Sequence, residues 1–260
     1  MSDIHIQTLV KSGAFKSVDR QIYPRIVAAI TAQPKEGKTH LMLDAPGPIA
    51  VFDSDYGLEG VVSKFPDKEI LAYRVPMPDP GITGALTAHM DEFTKIDNAY
   101  TEALANPSVR TIAIDTSTEI WEIVRLAYLG RLEKVISRDY GPANGAMRRF
   151  LKKALDSDKN LILVQKMKQE YKNDKATGNW LMSGFNDVAG IVQVVMRPFY
   201  AREDMELPDG QEIEEGQFGV HIMSSRHNPL LNDTYYVGEM ARFSTLAAII
   251  VPGTTPAMFE

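Results

Sequence analysis

Cysteine is absent from the 260-residue chain, and only five histidines are present. The lack of cysteine excludes disulfides, thiol nucleophiles, iron–sulfur clusters and zinc held by thiolates. None of the histidines stands three or four positions from another, so a zinc site built from a helical histidine pair is disfavoured. The sequence therefore excludes chemistry that depends on cysteine and disfavours a histidine zinc site.

An excess of positive charge and long apolar runs are missing as well. Lysine and arginine number 28 against 34 aspartates and glutamates, which gives a net charge of −6. Any binding to nucleic acid must then come from a local basic patch, because the whole chain would repel it. No stretch approaches 18 apolar residues, and the first residues lack the pattern of a secretory signal. We therefore expect a cytoplasmic protein with no membrane partner.

What the chain does contain is an alternation of short apolar runs, rich in isoleucine and valine, with longer helical patterns. The predicted strands are 25–31, 49–52, 69–75, 110–114 and 161–164, all read as buried. The predicted helices are 38–43, 58–65, 85–106, 117–135 and 145–157, with Ser117 as the cap of the fourth. This alternation predicts an α/β fold with a mostly parallel, doubly wound sheet.

The pattern changes after about residue 181. Two longer strand-like runs, 191–200 and 218–224, are joined by a polar link with a Pro-Asp-Gly turn, which predicts an antiparallel extension. An apolar helix at 242–250 precedes a tail whose prolines and glycine argue against further packing. The predicted organisation is an N-terminal segment (1–24), a core (25–200) and a C-terminal hairpin-and-helix extension packed on the core (201–260).

The strongest chemical signal is the segment AQPKEGKT between the first predicted strand and the first predicted helix. Backbone N–H groups at such a turn, together with the positive end of the helix, attract a phosphate chain. Lys38 would reach the β- and γ-phosphates, and the Thr39 hydroxyl would ligate magnesium. The plainer alternative is a surface turn with a solvated lysine. The predicted nucleotide-binding residues are Ala32, where the pattern usually has glycine, Gln33, Pro34, Lys35, Glu36, Gly37, Lys38, Thr39 and His40.

Carboxylates end two further predicted strands. Asp115 lies where the crevice of an open α/β sheet is expected, so it could hold magnesium through water; helix capping is the alternative. Asp53 and Asp55 follow the second strand, and we expect one of them to orient the water that attacks the γ-phosphate. Asp55 is our choice, although both could simply cap the next helix.

These segments together resemble the RecA-type recombinase core, especially the compact phage-encoded RecA-like ATPases of single-strand annealing and recombination. AQPKEGKT resembles the Walker A loop, IAIDTST resembles Walker B, and Asp55 stands where the family usually has glutamate. Gln165, at the end of LILVQ, matches the glutamine that senses the γ-phosphate; a polar residue closing a strand is the alternative. The resemblance, over 25–197, implies ATP and Mg²⁺ as cofactors, Lys38, Asp55 and Gln165 as catalytic residues, and a homo-oligomer, either filament or ring.

The resemblance also implies DNA loops at two places where basic residues cluster. We expect single-stranded DNA to contact Arg148, Arg149, Lys152, Lys153, Lys166, Lys168, Lys172 and Lys175. Tyr171, Trp180 and Phe185 are candidates for stacking on bases, and Arg226 for reaching a neighbour's nucleotide. The alternative is that these side chains form solvated surfaces.

The function expected from the sequence is that of a DNA-dependent ATPase for phage-type recombination or annealing, working in the cytoplasm of a bacterial host. One alternative is a nucleotide or small-molecule kinase, although no arginine-rich lid is evident. Another is a nucleotide-gated assembly or packaging factor whose loops contact protein.

Overall fold

The computed structural model describes residues 24–130, 136–203, 205–208 and 210–260, so the predicted N-terminal segment, apart from Pro24, lies outside the described residues. The strands are β1 (Val27–Thr31), β2 (Ile49–Asp53), β3 (Ile70–Arg74), β4 (Thr111–Asp115), β5 (Asn160–Gln165), β6 (Met167–Lys172), β7 (Lys175–Met182), β8 (Val194–Tyr200), β9 (Phe218–Ser225) and β10 (Thr234–Val237). The helices are α1 (Lys38–Leu43), α2 (Ala85–Ala105), α3 (Ser117–Leu129), α4 (Gly141–Lys152), α5 (Val188–Ile191) and α6 (Phe243–Ile250).

Eight strands form one sheet in the order β10-β9-β8-β1-β5-β4-β2-β3, and β6 pairs with β7 in a separate hairpin. The six strands from β8 to β3 are parallel to one another, which confirms the predicted fold class. The register pairs Thr31 with Gln165 and Asp53 with Asp115. Since parallel strands end at the same edge, four polar residues that close predicted strands come together there.

The central strands β1, β2, β4 and β5 are buried along their whole length. One apolar cluster packs α2, α3 and α4 on one face of the sheet, with Phe52, Tyr100 and Phe150 among its large side chains. A second cluster packs α1 and α6 on the other face, with Met42 and Leu246 among its members. Burial on both faces explains why these strands read as continuous apolar runs.

Several helices and strands of the structure differ in detail from the predicted ones. β3 lies at the edge of the sheet and is largely exposed, so the expectation that it is buried is wrong. The predicted helix 58–65 is reduced to a short 3₁₀ turn, Val62–Lys64, because Gly60 adopts a left-handed φ of 75°. Ser117 does not cap α3: its hydroxyl donates to the carbonyl of Val164. The α4 helix starts four residues early, where Pro142 fits the first turn.

The C-terminal region is bound to the core more tightly than expected. β8 is parallel to β1 and belongs to the central sheet, so the antiparallel extension starts only with β9. The tail forms a 3₁₀ turn, Pro256–Phe259, and the Phe259 ring is 1% exposed in the second apolar cluster. Arg110 also donates to the carbonyls of Met258 and Glu260. The prediction of an unpacked tail is therefore wrong, because Phe259 anchors it.

Within the described ranges, no helix combines the length and the apolar character that crossing a membrane requires.

Candidate active site

The phosphate-loop segment connects β1 with α1 at the carboxyl edge of the sheet. Left-handed backbone occurs at Lys35, with a φ of 69°, and at Gly37, with a φ of 85°. A Cβ on Gly37 would also come within 2.7 Å of the Phe218 ring. Ala32 is not among the residues with positive φ, so alanine is compatible with the position where the pattern usually has glycine.

The Lys38 ammonium folds back over this loop. Its Nζ donates to the carbonyl oxygens of Ala32, at 3.1 Å, and Gln33, at 2.9 Å. Burial lowers the pKa of Lys38, and the carboxylates of Asp115 and Asp55 act against that shift. The cation is thus positioned in the loop, where a polyphosphate can replace two neutral carbonyls as its partner.

Thr39 and Asp115 meet across the loop, with 2.8 Å between the donating Thr39 Oγ1 and Asp115 Oδ2. Burial raises the pKa of Asp115 to about 6; the Thr39 hydrogen bond acts in the opposite direction. A hydroxyl next to a carboxylate suits Mg²⁺, which takes one or two protein ligands and completes its shell with phosphate and water. No group of three or more acidic or histidine side chains that could hold a metal ion occurs among the described residues.

Two residues that the sequence analysis missed support this pair. The backbone N–H and the hydroxyl of Ser54 donate to the Asp115 carbonyl, at 2.7 and 3.2 Å, and the hydroxyl accepts from Thr116 N–H at 2.8 Å. A Cβ on Gly57 would lie 2.8 Å from Asp115 Oδ2 and 3.1 Å from Thr39 Oγ1. The sequence feature that could have identified Gly57 is its position four residues after Asp53, at the end of a strand.

Asp53, the last residue of β2, and Asp55, two residues later, have different surroundings. Asp53 is fully buried, and its oxygens accept hydrogen bonds from the Arg74 guanidinium at 2.5 Å and from Gly57 N–H at 3.2 Å. Asp55 is exposed and faces the site, with its carboxylate 3.7 Å from the Lys166 ammonium. Asp53 is therefore committed to holding the strand end, which leaves Asp55 as the acid available for chemistry.

Three buried polar side chains at this edge have no hydrogen-bond partner in the described part of the chain. They are Thr31, Thr116 and Gln165, at or just after the ends of β1, β4 and β5. Gln165 is 0% exposed, yet neither atom of its amide is paired. An unpaired buried polar group destabilises the fold by roughly 1–3 kcal/mol. The edge is therefore suited to a polar ligand that pairs with these groups, such as the end of a phosphate chain.

His40, the last predicted nucleotide-binding residue, lines a separate cavity of about 470 Å³ beside the loop. Its ring lies 5.1 Å from that of Phe65 and 5.7 Å from that of Phe218. Burial lowers the pKa of His40, and the positive charge of Lys64 adds to that effect.

The predicted DNA-contacting residues divide into two groups. Arg148 pairs with Asp187, Lys153 pairs with Asp97 at 2.6 Å, and Lys166 pairs with Glu119 at 2.6 Å. These three cations are committed to contacts within the protein. The remaining members are exposed: Arg149 and Lys152 on α4, and Lys168, Lys172 and Lys175 on the β6–β7 hairpin, where the Lys172 ammonium lies 3.4 Å from the Glu170 carboxylate.

The aromatic candidates divide in the same way. Tyr171 and Trp180 lie on the hairpin, 63% and 39% exposed. Phe185 is 3% exposed and packs against Trp121 with ring centroids 5.0 Å apart, so its predicted stacking on bases is wrong. Arg226 follows β9 near the start of β8, at the sheet edge opposite the phosphate loop. Its action on a neighbour's nucleotide stays a prediction.

Comparison with known families supplies one match. A family model described as an AAA domain matches residues 25–229, which is most of the chain and includes every strand end of the site. A comparison with curated proteins finds no match. The matched region contains the phosphate loop, the Thr39–Asp115 pair and the sheet that positions them. The chain belongs to the AAA domain family, and residues 25–229 form a nucleotide-binding, ATPase-type domain with a phosphate loop.

Proposed function

We propose that this ATPase hydrolyses ATP with Mg²⁺ to control its binding to single-stranded DNA, in recombination or annealing of the phage type. The observation that carries the proposal is the direct connection between the site and an exposed hairpin. β5 ends at Gln165, whose amide is unpaired in the site, and β6 starts two residues later. A change at the phosphate end of the nucleotide therefore has a short path to the hairpin.

The hairpin has two chemically different faces. Opposite residues of an antiparallel pair share a face, and successive residues alternate. The pairing of Gln169 with Trp180 and of Tyr171 with Ala176 places both aromatic rings on one face. The other face carries Lys168, Lys172 and Lys175 together with Glu170, whose carboxylate lies 3.4 Å from the Lys172 ammonium. Lysines that contact phosphates and aromatic rings that stack on bases are the two elements of sequence-independent single-strand binding.

The proposal gives each predicted site residue a role that is compatible with its position. Lys38 would neutralise charge on the β- and γ-phosphates, and Thr39 with Asp115 would hold Mg²⁺. The bound metal would supply neutralisation of charge on the phosphate oxygens. Asp55 would orient the attacking water, and Gln165 would pair with a phosphate oxygen or with that water.

Gln165 also lies close to the base of the hairpin. A Cβ on Gly184, two residues after β7, would lie 3.3 Å from Gln165 Nε2. Rotation of this amide toward a ligand therefore changes the packing where the hairpin meets the sheet. This proximity supports a link between nucleotide state and hairpin position.

The direct test is ATP hydrolysis measured with and without single-stranded DNA, using Lys38→Ala as the blank. The proposal predicts hydrolysis that depends on Lys38 and increases on addition of DNA. Hydrolysis without stimulation, combined with no DNA binding at low salt, would refute the recombination function. Transfer of phosphate to an added nucleoside monophosphate would instead identify a kinase.

A further inference from the structure

Lys166 is the residue where the candidate site and the hairpin meet. It stands between Gln165, the last residue of β5, and Met167, the first residue of β6. Its ammonium lies 2.6 Å from the Glu119 carboxylate and 3.7 Å from the Asp55 carboxylate. One cation thus bridges the first turn of α3 and the acid that we assign to water activation.

The backbone of Lys166 is fixed to the neck of the hairpin. Its N–H donates to Thr118 Oγ1 at 3.1 Å, and its carbonyl accepts from Ser183 N–H at 2.8 Å. Thr118 Oγ1 in turn donates to the Ser183 carbonyl at 3.0 Å. Both strands of the hairpin leave the core through this network, so a tilt of the hairpin moves Lys166 with it.

The charge of Lys166 is used inside the protein. Burial lowers the pKa of Lys166, but the hydrogen bond and charge of Glu119 and the charge of Asp55 outweigh that effect and raise it overall. The side chain is 39% exposed and remains protonated at neutral pH. It is therefore unlike Lys168 and Lys175, which are exposed on the hairpin.

We propose that Lys166 is a positioning residue that holds the Asp55 carboxylate and transmits the position of the hairpin to it. This inference deepens the proposed function and rests on it. A strand bound to the hairpin shifts the neck, which changes the distance from the Lys166 ammonium to Asp55. The rate of hydrolysis then responds to nucleic acid, although Lys166 itself makes no contact with the strand.

The test compares Lys166→Met and Lys166→Arg with the wild type, and Lys95→Met, which removes an exposed lysine on α2, serves as the matched control. Steady-state hydrolysis is measured with and without oligothymidylate, and affinity for the same oligonucleotide is measured separately. We expect Lys166→Met to reduce the DNA-stimulated kcat by about tenfold, with KM for ATP and DNA affinity within about twofold of wild type. Lys166→Arg should recover most of the stimulation, and Lys95→Met should retain all of it.

A double-mutant cycle with Asp55→Asn separates positioning from a general structural effect. If Lys166 acts through Asp55, Lys166→Met should add little to the loss of kcat that Asp55→Asn already causes. Full stimulation in Lys166→Met, additive losses in the cycle, or a loss of DNA affinity with kcat unchanged would each overturn the inference.

The two proposals fail in different ways. A wild type that hydrolyses ATP without any response to oligothymidylate refutes the proposed function and, with it, the transmission role of Lys166. In that case the double-mutant cycle, measured on kcat without DNA, still decides whether Lys166 positions Asp55. A wild type that responds normally, with a Lys166→Met variant that responds equally, refutes only the inference.

Discussion

At the residue scale, the buried carboxylate of Asp115 lowers the stability of the fold, although we expect it to be needed for binding Mg²⁺. Its pKa of about 6 lies above the ordinary value of 3.8 because burial disfavours the carboxylate. A group whose pKa is raised by folding stabilises the fold below its unfolded pKa, and that contribution is lost as pH rises through the folded pKa. Between pH 4 and 6 the unfolding free energy therefore falls with rising pH, and above pH 6 the buried charge destabilises the protein by about 3 kcal/mol.

The direction in which the unfolding free energy changes with pH leads to a prediction for Asp115→Asn. The variant should unfold at higher urea than the wild type at pH 7.5, because an uncharged amide replaces the buried carboxylate, while it loses affinity for Mg²⁺ with nucleotide. The difference in unfolding free energy should shrink at pH 5. Urea titrations at both pH values measure it, and a gap that widens toward pH 5 would contradict the assignment.

Gly57 tests the Thr39–Asp115 pair sterically. Gly57→Ala places a methyl group 2.8 Å from Asp115 Oδ2 and 3.1 Å from Thr39 Oγ1, so both side-chain ends must shift away from it. We expect the affinity for Mg²⁺ with ATP to fall by about tenfold or more, because the two predicted metal ligands are displaced. Gly141→Ala, where a Cβ meets nothing within 4 Å, is the control for calorimetric titration. Equal affinities of the two variants would argue against a metal at this pair.

The sequence could predict the residues of this site that lie in local motifs. Lys38 and Thr39 follow from the spacing of one loop, and Asp115 follows from its place at the end of an apolar run. Ser54 and Gly57 could not be predicted in the same way, because their contacts with Asp115 join segments about sixty positions apart. Such contacts depend on the order of strands in the sheet, which the pattern of apolar runs does not determine.

At the element scale, the hairpin is the part whose role depends most on its two faces. Replacing Lys168, Lys172 and Lys175 with glutamine should reduce the slope of log affinity against log salt by about 2, at roughly 0.7 for each phosphate contact on a single strand. Trp180→Ala should weaken binding by about 1–3 kcal/mol without changing that slope. Fluorescence anisotropy with a labelled oligonucleotide at several salt concentrations measures both effects.

The matched control for the hairpin variants is Lys95→Gln, which removes an exposed lysine elsewhere. An unchanged salt slope after the triple replacement would place the strand on another surface. In that case the exposed Arg149 and Lys152 on α4 would be the next residues to replace.

The C-terminal 3₁₀ turn gives a prediction about stability. Phe259→Ala should lower the unfolding free energy by about 3 kcal/mol or more, because a fully buried ring is removed from the second apolar cluster. Met258→Ala, at a side chain that is 44% exposed, should have a much smaller effect. Chemical denaturation measures both. Equal small effects would mean that the tail is not anchored by Phe259.

Strands and helices were predictable where their burial produced a clear pattern of apolar residues in the sequence. The strands β1, β2, β4 and β5 are apolar throughout because helices cover both faces of the sheet. The hairpin that starts at Met167 escaped prediction because its residues are exposed and polar, so a flexible loop and a hairpin look alike in the sequence. The packing of the tail was predicted wrongly because turn residues are abundant in its sequence, whereas its packing depends on the single ring of Phe259.

At the scale of the whole molecule, the net charge of −6 limits how the protein can bind DNA. A chain that repels polyanions overall needs local cations, and the described surface offers them on one face of the hairpin and on α4. Assembly into a filament or ring stays a prediction from the resemblance to RecA-type proteins.

The central claim is that the carboxyl edge of the sheet, with Lys38, Thr39 and Asp115, binds the phosphate chain of ATP with Mg²⁺. Calorimetric titration of a nonhydrolysable ATP analogue with Mg²⁺ tests it most directly, on the wild type, Lys38→Ala and the control Lys95→Ala. The account predicts binding by the wild type and the control, with about a hundredfold weaker binding by Lys38→Ala, or roughly 2.7 kcal/mol. Equal affinity of all three proteins would contradict it.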